Sequence, residues 1–244
     1  YEYRKKNYLR AIDILKNTEL DLKDFNRNAI KSEILAQCYD SIGKYNKAYK
    51  YFIDSNNIFN NVYSKEIDKN YYIEHVKKRL NFFSKKKIKV NKIIDEEKKI
   101  NDPIFLIGFP RSGTTLLDTI LRSHPSIDVL EEKPIVDQFI EKLKKKIDSN
   151  FDILKSSNSS LKKEMRHIYF DQRNKYLNDT KKVIIDKMPL NIIYVGEIIR
   201  YFPKAKFILA LRHPKDCVLS CFMQNFLLNN AMANFLNVKD AAKM

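Results

Sequence analysis

The chain has 244 residues, 44% of them hydrophobic and 12% aromatic, which excludes a largely disordered polypeptide and leaves room for two small domains. Lys and Arg number 46 against 30 Asp and Glu, a formal charge of +16; this favours anionic ligands, although lysines on solvated helix backs also produce such a balance. Cys38, Cys217 and Cys221 form no disulfide framework, the four histidines lack metal-ligand spacing, and no apolar run is long enough to span a bilayer, so a cytoplasmic protein without a metal or a transmembrane segment is expected.

Residues 1–84 carry amphipathic helical patterns and no proline. Leu35, Ala36 and Tyr39 precede Gly43, and Ala48 and Phe52 follow it, positions that fit a helix–turn–helix unit of about 34 residues beginning near Ala29. The region resembles a tetratricopeptide repeat, with Ala11 and Leu15 hinting at a partial preceding one and with Ser32 and Asn60 departing from the pattern. One repeat cannot bury its own apolar faces. A helical buttress is therefore expected, with contact to a protein partner as the alternative. Residues 85–102, rich in Lys, Glu and Asp, read as a charged helix end and linker. The short basic runs, Lys85-Lys86-Lys87 and Lys144-Lys145-Lys146, match no zinc finger, recognition helix or RNA-binding sheet, and no nucleic-acid partner is expected.

From residue 103 short apolar runs alternate with helical patterns. Strands are predicted at Ile104–Phe109, Ile127–Leu130, Lys182–Lys187 and Lys206–Leu211, and helices at Thr114–Arg122, Pro134–Lys146, Leu161–Leu177, Asn191–Tyr201 and onward from Pro214. This is the grammar of an α/β fold with a central parallel sheet flanked by helices. In such sheets ligands collect at the carboxyl ends of the strands, where Gly108, Lys187 and Arg212 all fall.

The first strand runs into Gly108-Phe-Pro-Arg-Ser-Gly113 and then into a helix. A nucleotide triphosphatase would carry Lys and then Ser or Thr after the second glycine; here Thr114-Thr115 stand there, so the lysine that reaches β and γ phosphates is absent. The amides of Arg111, Ser112, Gly113, Thr114 and Thr115, with their hydroxyls and the Arg111 guanidinium, can still cradle a tetrahedral anion. The competing account is an ordinary strand-to-helix turn. Arg212, with Ser220 eight residues on, could hold a second phosphate, which implies a ligand phosphorylated at both ends; a capping arginine is the alternative. Lys187 could neutralise charge developing on a bridging oxygen, or could simply snorkel from a strand end. Glu131-Glu132 supply carboxylates able to take a proton from a hydroxyl, or to favour the helix that follows. His124 and His213 read as structural.

On these residues the chain resembles the sulfotransferase superfamily, especially bacterial proteins that join tetratricopeptide repeats to a sulfotransferase domain and, more distantly, protein-tyrosine sulfotransferases. Phe109-Pro-Arg-Ser-Gly-Thr-Thr-Leu-Leu117 is similar to their loop for the 5′-phosphosulfate of 3′-phosphoadenosine 5′-phosphosulfate (PAPS), and Leu211-Arg-His-Pro-Lys-Asp-Cys-Val-Leu-Ser220 to their 3′-phosphate segment. The resemblance implies a P-loop-like sulfotransferase fold, PAPS as cosubstrate, Arg111, Ser112, Gly113, Thr114, Thr115, Arg212 and Ser220 as its binding residues, and Glu132, Lys187 and Arg111 as the catalytic ones. His213-Pro214 stands where tyrosine sulfotransferases tend to show Asp-Gly, and residues 103–244 are expected to be a domain that is incomplete at its C-terminal side. The acceptor, whether carbohydrate, small molecule, lipid or peptide, is not read. A kinase or hydrolase and a catalytically silent binding module are the competing functions.

Overall fold

The computed structural model describes residues 1–63, 65–85, 101–147, 159–177 and 183–244. Its contacts divide the chain into two units, Tyr1–His75 with Pro214–Met244, and Val76–His213. Most of the expected linker, residues 86–100, lies outside the described residues, as does Lys182 at the expected start of the third strand.

The first unit is helical: α1 (Tyr8–Asn17), α2 (Phe25–Ser41), α3 (Tyr45–Tyr63), the opening of α4 (Lys69–Lys85), α9 (Pro214–Phe222), a 3₁₀ turn (Met232–Leu236) and α10 (Val238–Lys243). Helix α2 starts where the Asp24 side chain accepts the Arg27 amide and so satisfies one orphan N–H. It stops at Gly43, whose φ of +72° lets the Lys44 amide reach back to the Tyr39 carbonyl at 2.8 Å and its own amide reach Asp40 at 2.9 Å. The reversed chain then packs α3 on α2. Leu35, Ala36, Tyr39, Ala48 and Phe52, the residues singled out by spacing, are all buried in one core with Ala11, Ile12 and Phe222. Ser55 donates to the Ala29 carbonyl and Asn56 to that of Phe222, which satisfies the polar groups this packing buries.

The second unit holds four parallel strands in the order β2 (Ile127–Glu131), β3 (Val183–Lys187), β1 (Ile104–Gly108), β4 (Lys206–Ala210). Alternation along β1 divides its side chains between two cores. Phe105 and Ile107 face the cluster built on α6 (Ile135–Lys146), α7 (Ser159–Asn174) and α8 (Val195–Tyr201). Ile104 and Leu106 face the cluster that includes Leu117 and Leu121 of α5 (Thr114–Arg122). Helices thus cover both faces of the sheet.

One predicted helix differs. Residues Pro189–Tyr194 form a 3₁₀ segment, and the α-helix begins only at Val195; Pro189 fixes the first turn, and the Asn191 amide closes a tight bond to Met188 at 3.0 Å. Behind it, Gly196 admits the Phe83 ring so closely that an added Cβ would stand 2.3 Å from it. Within the same unit the Arg79 guanidinium meets the Glu197 carboxylate at 2.9 Å with both side chains buried.

Candidate active site

Strand β1 ends at Gly108, where backbone crowding leaves no room for a side chain: a Cβ would lie 2.7 Å from Ser112 Oγ and 2.9 Å from the Ala210 carbonyl oxygen. The loop that follows folds over this glycine. Arg111 adopts φ +65° and Gly113 φ +97°, two left-handed residues that turn the backbone into α5 with Gly113 as its N-cap. The N-cap glycine has no side chain with which to cap the helix, whose first turn begins at the loop with the positive end of the peptide dipoles. The Ser112 amide is engaged by the Phe109 carbonyl at 3.1 Å; the group Ser112 can offer an anion is its hydroxyl, which is buried and has no hydrogen-bond partner among the described residues. Thr114 is buried beside it, while Thr115 and Arg111 are exposed. Arg212, just beyond β4, donates from Nη1 to the Arg111 carbonyl at 3.2 Å, tying the end of one strand to the loop after its neighbour.

Two strands away Lys187 ends β3, fully buried. Strand register sets Glu131 directly beside it. Lys187 Nζ donates to Glu132 Oε1 at 2.8 Å and to Glu131 Oε1 at 3.2 Å. Glu132 has φ +50° and its amide donates to the Lys187 carbonyl at 2.7 Å. The bond from Lys187 holds the Glu131 carboxyl below its ordinary range, with the charges of Lys187 and Arg122 adding to the effect. Glu131 Oε2 also accepts from Arg122 at 3.3 Å, and Arg122 in turn donates from Nη2 to Oδ2 of the buried Asp118 at 3.0 Å, with Nε in ion-pair contact with Oδ1 at 2.7 Å. Burial pushes the Asp118 carboxyl up, and the Arg122 charge opposes that shift.

The structure therefore brings Glu132 to Lys187, and Arg212 to the loop of Arg111, Ser112, Gly113, Thr114 and Thr115. Ser220 lies on α9, in the other unit. Sequence reading passed over Arg122 and Asp118, although their spacing of four on one helix face is a readable signal. It also gave no role to Asp186, whose fully buried carboxyl accepts from Tyr169 Oη at 3.0 Å; nothing in the sequence pairs those two. Among the described residues no group of three or more His, Cys, Asp or Glu is placed to hold a metal ion, and no helix is long and apolar enough to cross a membrane.

Residues 103–243 match the model of a family described as "Sulfotransferase family". The chain belongs to the sulfotransferase family. An uncharacterized protein of Aquifex aeolicus is 33% identical over 140 residues, 54% of this chain and 18% of that protein. A protein-tyrosine sulfotransferase of Drosophila melanogaster is 26% identical over 121 residues, 48% of this sulfotransferase chain and 24% of the fly protein. The matched stretches thus span less than a quarter of either relative's length. Among solved structures, sulfotransferase STF9 from Mycobacterium avium aligns over 88% of this chain and 64% of its own, at 13% identity and a TM-score of 0.30.

Proposed function

We propose that this sulfotransferase moves the sulfuryl group of PAPS to a hydroxyl or amine acceptor by in-line displacement. The observation that carries the reading is the 2.8 Å contact between Lys187 and Glu132 at the carboxyl edge of a parallel sheet, on the same edge as a loop whose helix amides and buried Ser112 hydroxyl suit an anion. The loop amides, Ser112, Thr114, Thr115 and Arg111 hold the 5′-phosphosulfate. Arg212 takes the 3′-phosphate. Glu132 accepts the proton of the acceptor as its oxygen or nitrogen bonds to sulfur. The bond from sulfur to the 5′-phosphate oxygen breaks, and the ammonium of Lys187 neutralises the charge left on that oxygen. The tyrosine hydroxyl of a peptide is one acceptor to examine, beside carbohydrate, lipid and small-molecule hydroxyls.

Calorimetric titration with 3′-phosphoadenosine 5′-phosphate, run beside ADP with magnesium, tests the donor site. Binding of the bisphosphate that is lost in Arg212→Ala supports it; a preference for ADP would replace it with a kinase reading. With 35S-labelled donor, Lys187→Ala should lower turnover by about 10²–10³-fold and leave the cosubstrate KM within a few-fold. Arg212→Ala should do the reverse, and an exchange of these two patterns would overturn the assigned roles.

A further inference from the structure

We propose that Glu131 is a positioning residue for the transfer: anchored by Arg122, it holds the Lys187 ammonium in place when Glu132 turns to the acceptor. The inference rests on the roles given above to Lys187 and Glu132. As the structure stands those two neutralise one another, with Nζ 2.8 Å from Oε1 of Glu132. A carboxylate so occupied must release the lysine before it can take a proton from another molecule. Lys187 is fully buried, and a buried ammonium stripped of its counter-ion is unstable where it sits.

Glu131 answers that need through both of its oxygens. Oε1 takes a bond from Lys187 at 3.2 Å and Oε2 one from Arg122 at 3.3 Å. Arg122 is itself held by one hydrogen bond, from Nη2 to Oδ2 of Asp118 at 3.0 Å, with Nε an ion-pair contact 2.7 Å from Oδ1; the Asp118 side chain is wholly buried. The chain Asp118, Arg122, Glu131, Lys187 contains two carboxylates and two cations, so it stays balanced after Glu132 leaves or takes up a proton. Strand register reinforces the geometry, because Glu131 on β2 lies directly opposite Lys187 on β3. Glu132, by contrast, pairs with no second cation among the described residues, and its side chain is 55% exposed. With both oxygens engaged, Glu131 is the clamp and Glu132 the mobile base.

The test is the reactivity of the Lys187 amine toward acetic anhydride, followed by mass spectrometry on the whole chain, with thermal melts confirming that each variant is folded. Lys187 should be protected in the wild type and in Glu132→Gln, and should label at least fivefold faster in Glu131→Gln and Arg122→Gln. Equal protection in Glu131→Gln, or equal loss in Glu132→Gln, would overturn the clamp. A second readout is transfer of 35S from PAPS to a tyrosine-containing peptide. Glu131→Gln should lower kcat tenfold or more with the affinity for 3′-phosphoadenosine 5′-phosphate within twofold, and should cause no further loss in a Lys187→Ala background; additive losses would show that Glu131 does not act through Lys187. If the wild type fails to bind the bisphosphate, the sulfuryl-transfer reading falls, and the labelling series still decides whether Glu131 holds Lys187.

Discussion

Asp186→Asn should change how stability depends on pH. Asp186 is 1% exposed, accepts one bond from Tyr169 through Oδ2, and has no hydrogen-bond partner for Oδ1 among the described residues. Burial pushes its carboxyl from 3.8 up to about 7, with the Tyr169 bond opposing the shift. The folded chain therefore keeps a proton here that the unfolded chain releases near pH 4, and the stabilisation from that proton is complete at low pH and disappears as pH rises through 7. At 1.36 kcal/mol per pKa unit the whole effect is roughly 4 kcal/mol, of which roughly 3 kcal/mol falls between pH 5 and pH 8. Urea denaturation of wild type and Asp186→Asn at both pH values isolates it, since other titrating groups are shared. The wild type should lose stability relative to the variant by that order as pH rises. A difference between the two proteins that stays constant within about 0.5 kcal/mol would refute the reasoning. Tyr169→Phe supplies a check on sign: without the phenol bond that favours the ionised form, the loss should extend to higher pH.

Three other outcomes follow from the packing. Gly108→Ala should cost about 1–3 kcal/mol in urea denaturation, because its Cβ meets the Ala210 carbonyl at 2.9 Å and Ser112 Oγ at 2.7 Å and the strand cannot retreat from both. Gly43→Ala should cost about 1 kcal/mol in the same measurement; nothing lies within 4 Å of its added Cβ, so the penalty is that of φ +72° alone. Arg79→Met should cost about 3–5 kcal/mol by leaving the Glu197 carboxylate buried and unpaired, and the double variant Arg79→Met with Glu197→Met should recover much of it.

The elements that sequence predicted well are those whose signal is local. Thr114–Arg122 was legible as a helix because a glycine turn opens it and apolar residues recur at its packing period, and Ile104–Gly108 as a strand because it is an unbroken apolar run between turn residues. The α2–α3 hairpin was legible from Gly43 and five buried residues at helical spacing. What stayed hidden depends on contacts between distant segments. Lys187 and Glu132 are 55 residues apart, and only the pairing of β2 with β3 makes them neighbours. The buried pair Arg79 and Glu197 spans 118 residues and shows no pattern in either helix. The 3₁₀ start of the helix predicted from Asn191 stayed hidden because Pro189 opens a tighter turn that helical periodicity does not register.

The doubled glutamate is the clearest case of a local irregularity with a chemical consequence. Consecutive residues on a strand point to opposite faces, so on a continued β2 only one of Glu131 and Glu132 could meet Lys187. Glu132 instead turns into the left-handed region at φ +50°, its amide held by the Lys187 carbonyl, and both carboxylates arrive at one ammonium. That conformation costs a residue with a side chain about 1–2 kcal/mol. Core packing gives nothing back for it, since the Glu132 side chain is more than half exposed. Among the described residues three non-glycine positions have positive φ, Lys6, Arg111 and Glu132. Two of these three stand at the carboxyl edge of the sheet, on the side chains that the proposed transfer uses. Strain of this kind persists where the surroundings over-determine the backbone; here those surroundings are the strand-end bond to Lys187 and the glycine-bounded loop.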